Sequence, residues 1–153
     1  TYARIRAGGG TYIPAERYLE IGRKQDLLPT LDNLLLLRCL QSLRDRGSGE
    51  QMPFIINVSG GTLDDRNFMN DLVAFLSSHH KMAGQIIFEL PQGELESHSE
   101  NLIPLLDGLA RLGVRFSMDR VRNRKIDMSL LRACHIRFIK MDSGWLLNEG
   151  RSK

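Results

Sequence analysis

Gly84–Leu90 reads Gly-Gln-Ile-Ile-Phe-Glu-Leu, an apolar run with a single carboxylate, Glu89, just short of its C-terminal end. A run this short and this apolar, entered through glycine, suits a strand covered on both faces, as in a parallel sheet. Three other runs share the character: Pro53–Val58 (PFIINV), Val114–Met118 (VRFSM) and Ile136–Met141 (IRFIKM). Segments of helical period lie between them. Pro14–Arg46 is expected to be helical, to break at Pro29 and to resume with apolar Leu31, Leu34, Leu35 and Leu40. Residues 64–79 place Phe68, Met69, Leu72, Phe75 and Leu76 on one face, with Asp64 as N-cap. Glu100–Leu112 turns its leucines inward and ends at Gly113, and a short fourth helix covers Met128–Ala133.

Strand and helix thus alternate at intervals of roughly 30 residues, which points to an α/β fold built from βαβ units. A doubly wound sheet and a barrel both satisfy the pattern. No GxGxxG or GxxxxGK[ST] follows a strand, so the nucleotide fingerprints of open sheets are absent. The polar residues are more informative. Asn57, Glu89, Asp119 and Lys140 each stand at or near the C-terminal end of one of the four strands. In a parallel barrel those ends converge on the face that carries the active site.

The 153 residues are 42% hydrophobic and 25% charged, within the range of globular chains and outside the collagenous, low-complexity and disordered classes. No stretch approaches the ~18 apolar residues that a membrane span needs. There is no initiator Met and no signal-like opening, so residues on the N-terminal side are expected to be missing. Cys39 and Cys134 lie far apart in apolar surroundings and read as two buried, reduced thiols. The net charge of +3 is unevenly placed: Arg111–Lys140 holds nine basic residues against Asp119 and Asp127. Such a block suits an anionic partner. An aromatic content of 7% offers no stacking platform that would favour nucleic acid over a small phosphorylated ligand.

In order and spacing, Tyr12–Glu16 (YIPAE), Ile56–Ser59 (INVS), Phe88–Leu90 (FEL), Gly113–Asp119 (GVRFSMD) and Ile139–Asp142 (IKMD) resemble the EAL-domain family. The resemblance implies a TIM-like (β/α) barrel, seen here as a partial barrel: one partial domain over residues 1–153, its first motif starting upstream and its last strands lying beyond. Active members are cyclic-di-GMP phosphodiesterases. By the same resemblance Arg4 matches the arginine that holds a ligand phosphate, Asn57 and Glu89 match metal ligands, and Asp119 matches the first Asp of the DDFGTG motif. Lys140 matches the active-site lysine, with Asp142 two places on, and Pro14 and Glu16 fall in a segment associated with the guanine pocket.

Three departures carry weight. The second Asp of DDFGTG is Arg120, and the glycine-rich remainder is Val121-Arg122-Asn123-Arg124; the second Glu of the segment around Glu89 is Gln92; Thr1-Tyr2 stands where Ala-Leu would be. Phosphodiester hydrolysis by paired divalent ions needs carboxylates to hold both ions and to generate a metal-bound hydroxide. Arg120 removes an oxygen ligand and sets a fixed cation in its place, a repulsion of several kcal/mol at an effective dielectric of about 20. A guanidinium at 120 can instead pair with Asp119 and Glu89. Asn57, Glu89 and Asp119 are then vestigial metal ligands, no cofactor is expected, and at most one Mg²⁺ or Mn²⁺ would be held.

The expectation is a catalytically inactive cyclic-di-GMP receptor of bacterial second-messenger signalling, with Arg4, Asn57, Glu89, Asp119, Lys140 and Asp142 facing the ligand. The alternatives are a nucleotide-free protein-interaction scaffold and an active phosphodiesterase. The expected location is the cytoplasm, including as the cytoplasmic domain of a membrane-anchored protein. Expected partners are cyclic-di-GMP and either a signalling protein or a second copy of the chain, with no nucleic acid.

Overall fold

The computed structural model describes residues 5–6, 8–45, 52–122 and 126–149. Strand β1 (Ile5–Arg6), a 3₁₀ turn (Gly8–Gly10) and strand β2 (Tyr12–Ile13) form a small antiparallel hairpin, which the strand-and-helix pattern did not anticipate. Helices α1 (Ala15–Lys24) and α2 (Leu28–Asp45) follow, then β3 (Phe54–Asn57), α3 (Gly60–Asp64), α4 (Arg66–Ser78) and α5 (His80–Ala83). The chain continues through β4 (Ile86–Pro91), α6 (Gln92–Arg111), β5 (Arg115–Val121), α7 (Met128–Ala133), β6 (Ile136–Met141) and α8 (Ser143–Glu149).

The four apolar runs make one parallel sheet in the order β3-β4-β5-β6, with helices between consecutive strands. This succession of right-sized βα units is the expected α/β architecture. Asn57 stands opposite Glu89, and Asp119 opposite Pro91, so the polar residues lie at neighbouring levels along the sheet. Helix faces cover the strands: Leu102, Leu106 and Leu109 from α6, Met69, Leu72 and Leu76 from α4, and Leu36, Leu40 and Leu43 from α2 are all buried. Phe88 and Phe116 meet in the sheet interior with ring centroids 6.3 Å apart. Each such side chain contributes roughly 1.5–3 kcal/mol by leaving water. Cys39 and Cys134 are buried thiols within this core, neither in a disulfide.

Several element boundaries differ from expectation. The break between α1 and α2 comes before Pro29, where Asp26 adopts φ 54°. Pro29 then falls in the first turn of α2, where its missing N–H costs nothing. Asp65, not Asp64, caps α4, its carboxylate accepting from the Phe68 N–H at 3.1 Å. Helix α6 begins at Gln92 rather than Glu100 and kinks at His98. There the Ser97 hydroxyl takes the Gly93 carbonyl and the His98 ring meets that of Glu94, side-chain intrusions of the kind that bend helices. Gly113 does end α6 as expected: at φ 104° it closes a Schellman turn, with Gly113 N–H bonded to Ala110 O and Val114 N–H to Leu109 O.

Among the described residues no helix is long and apolar enough to cross a membrane. Strand β6 forms one edge of the sheet, and its Phe138 and Ile139 are 45% and 43% exposed.

Candidate functional site

A cleft of about 730 Å³ opens at the C-terminal ends of the strands. Asn57, Glu89, Asp119, Lys140 and Asp142 line its floor, and Tyr18, Leu28, Leu31 and Leu35 from α1 and α2 form an apolar wall. Five of the six residues expected to face a ligand are therefore brought together; Arg4 lies outside the described residues, as does the end of the loop after β5, residues 123–125.

Parallel pairing determines the floor. β3 and β4 are in direct register, and the Val58 N–H reaches Glu89 O at 3.1 Å, so Asn57 and Glu89 share one level. Glu89 is a carboxylate only 4% exposed, and an unpaired charge there would carry a heavy desolvation cost. Lys140, reaching across from β6, supplies the counter-charge at 3.4 Å from Oε1. The same ammonium lies 3.7 Å from Asp119 Oδ1. On the far side of that carboxylate Arg120 Nε stands 3.7 Å from Oδ2. Arg120 was expected to pair with both Asp119 and Glu89. Lys140 takes Glu89 instead, because a bulge between Met118 and Val121 carries Arg120 at φ 54° and turns its side chain toward the rim.

Two further anchors secure the rim. Arg122 donates from Nε and from one terminal nitrogen to Asp142 Oδ2, both at 3.1 Å. Asp142 Oδ1 meanwhile accepts from the Trp145 N–H at 2.9 Å and so caps α8. The Trp145 amide, and after it the Arg122 guanidinium, hold the Asp142 carboxyl below its usual value. Behind the rim, Gln92 accepts from the Arg122 N–H at 3.1 Å and donates to Glu96 at 2.7 Å. An amide can do both; a carboxylate at 92 could accept from Arg122 but would repel Glu96.

Asp32, in the cleft wall, escaped the sequence reading. Its Oδ2 accepts from the Ser59 N–H at 2.8 Å and from the Thr62 hydroxyl at 2.9 Å, and so ties α2 to the turn that follows β3. The available signal was an acid set among leucines, Leu31-Asp32-Asn33-Leu34, in the first half of α2.

A divalent ion wants six or more oxygens with an excess of negative charge. Among the described residues the floor does not meet that requirement. Among the described residues no group of three or more His, Cys, Asp or Glu side chains is gathered to hold an ion. Of the three carboxylates there, Glu89 and Asp119 already face two cations, Lys140 and Arg120, and Asp142 faces Arg122.

The model of the EAL domain family matches residues 1–152. The chain belongs to the EAL domain family. Solved structures of EAL proteins are similar to it. The FimX EAL domain of Pseudomonas aeruginosa, bound to c-di-GMP, superposes with TM-score 0.79 at 17% identity, over 97% of this chain and 60% of that one. The S helix-GGDEF-EAL segment of Vibrio cholerae LapD, bound to c-di-GMP, gives 0.77 at 18% identity over 92% and 34%. The PaMucR phosphodiesterase in its c-di-GMP complex gives 0.77 at 17% over 99% and 62%. This EAL chain thus spans between about a third and three fifths of those chains. At such identities the likeness establishes the fold: four consecutive βα units of a TIM-like EAL barrel. No match was found among curated proteins.

Proposed function

We propose that this EAL domain binds cyclic-di-GMP without hydrolysing it and serves as a receptor module in bacterial second-messenger signalling. One observation carries the proposal: Arg120 stands beside Asp119, 3.7 Å from its carboxylate, where the family's motif has a second Asp. Binding and catalysis ask different things of such a site. A ligand with two phosphates needs cations and an apolar wall for its bases, and the cleft offers Lys140, Arg120 and the leucines of α2. Hydrolysis by metal hydroxide needs negative oxygens around two ions, and the floor is neutralised by its own side chains. The proposed location is the cytoplasm.

A protein partner belongs to the same proposal.

The test is a single mixture. The protein is titrated calorimetrically with cyclic-di-GMP in the presence of Mg²⁺ or Mn²⁺, and the same samples are chromatographed for linear product. Saturable binding without product is the expected outcome. Turnover of order 1 per second, the low end of ordinary enzymes, establishes a phosphodiesterase instead. No heat with near-millimolar ligand leaves the scaffold reading.

A further inference from the structure

We infer that Arg120 takes the place of the metal in this cleft: its guanidinium, held by Asp119, is the group that grips a ligand phosphoryl oxygen, and ligand binding requires no divalent ion. The inference rests on the cyclic-di-GMP reading of the cleft and names the chemistry by which that site works.

Three observations converge on it. The first is charge. Glu89 and Asp119 are matched by Lys140 and Arg120, and Asp142 by Arg122. Each described strand-end acid is thus matched by a neighbouring cation, whereas a divalent ion needs acids left unmatched; Asp32 and Glu94, the other acids of the cleft, belong to its helical wall. The second is backbone. The bulge between Met118 and Val121 and the left-handed φ of 54° at Arg120 set its side chain at the junction of the main cleft and a shallower groove along the start of α6. A flexible surface arginine would need no such conformation, which side chains other than Asn, Asp and Gly rarely adopt. The third is donor geometry. Arg120 meets Asp119 through Nε, and its side chain is 50% exposed. Among the described residues no hydrogen-bond acceptor engages either terminal nitrogen. Those nitrogens form the fork that binds two phosphate oxygens in parallel. Asp119 then acts as a positioning residue: it orients the guanidinium and leaves its open side to the ligand.

Two measurements test this on the whole chain. Equilibrium dialysis with cyclic-di-GMP compares EDTA with millimolar Mg²⁺ for the parent, Arg120→Ala and, as a control on exposed α7, Arg132→Ala. Electron paramagnetic resonance follows free Mn²⁺ during titration of the parent and of Arg120→Asp. We expect equal affinity with and without Mg²⁺ and at least about tenfold weaker binding in Arg120→Ala, the loss of one charge-assisted contact. Arg132→Ala should match the parent. We expect no Mn²⁺ captured by the parent below millimolar concentration, and a gain of about tenfold or more in Arg120→Asp.

Binding by the parent only when a divalent ion is present overturns the inference and leaves the receptor reading intact. Unchanged affinity in a folded Arg120→Ala, or stoichiometric Mn²⁺ on the parent, also overturns it. If cyclic-di-GMP does not bind at all, the receptor reading falls, and inorganic pyrophosphate becomes the probe. Arg120-dependent pyrophosphate binding in EDTA then sustains the inference, and its absence ends it.

Discussion

Arg122 and Asp142 stand 20 positions apart in the chain and join the ends of β5 and β6, the guanidinium donating twice at 3.1 Å to one carboxylate oxygen. The pair is lopsided: Arg122 is 69% exposed and Asp142 only 19%. Solvent on the arginine side keeps the ion pair itself near the 0–1 kcal/mol of surface bridges. Asp142 does more, since it also caps α8 through the Trp145 N–H.

Substituting each partner separates these contributions. Arg122→Ala should cost under about 1 kcal/mol. Asp142→Ala removes the cap as well and should cost about 1–2 kcal/mol. Urea unfolding of both variants measures the difference, and equal losses would assign the whole effect to the salt bridge.

The same carboxylate fixes a pH dependence. Its folded pKa lies below the unfolded one, so its stabilisation is complete above the unfolded value, about 3.9, and is lost as pH falls through the folded value. The stability gap between the parent and Asp142→Asn should be level from about pH 5 upward and should close progressively below about pH 4. A gap that instead narrows on the alkaline side contradicts the assignment.

Asp32→Ala leaves the Ser59 N–H and the buried Thr62 hydroxyl without their acceptor. A loss of about 1–3 kcal/mol follows. Hydrogen exchange should accelerate first at Ser59–Asp64, the turn and helix that Asp32 anchors.

Cys39 and Cys134 should both resist a thiol-disulfide reagent until the chain unfolds. Both are buried, and burial pushes the Cys134 thiol above its usual value, which lowers the reactive thiolate fraction. Stoichiometric titration of either thiol under native conditions would show that the core opens locally.

The sheet was legible because its four strands are short, largely apolar runs, and the end of α6 because Gly113 is the one residue type suited to φ 104°. The start of α6 was not. Its first turns, Gln92-Gly93-Glu94-Leu95-Glu96-Ser97-His98, are mostly polar and bury only Gln92 and Leu95, so periodicity saw only the apolar stretch that follows. Pro29 drew the break toward itself although a proline in a first turn breaks nothing, while Asp26 carries the left-handed residue. The floor of the cleft could be read from four polar strand ends. Asp32 could not, because its partners lie 27 and 30 positions away and no local pattern announces a contact of that range. The distribution of cations was half legible: the charges of Arg120 and Lys140 were visible, but a bulge decided which of them reaches Glu89.

Gln92 works as a hinge pin between two neighbours, accepting from Arg122 and donating to Glu96. A glutamate at 92, as the family's pattern has, would press its carboxylate against that of Glu96, and an aspartate at 120 would set a second uncompensated acid beside Asp119. Each single step toward a metal-binding floor therefore costs stability, even where, as at 120, it raises affinity for an ion. The route behaves as a ratchet: residues 92, 96 and 120 each resist reversal on their own, and only changing them together spares the fold that cost.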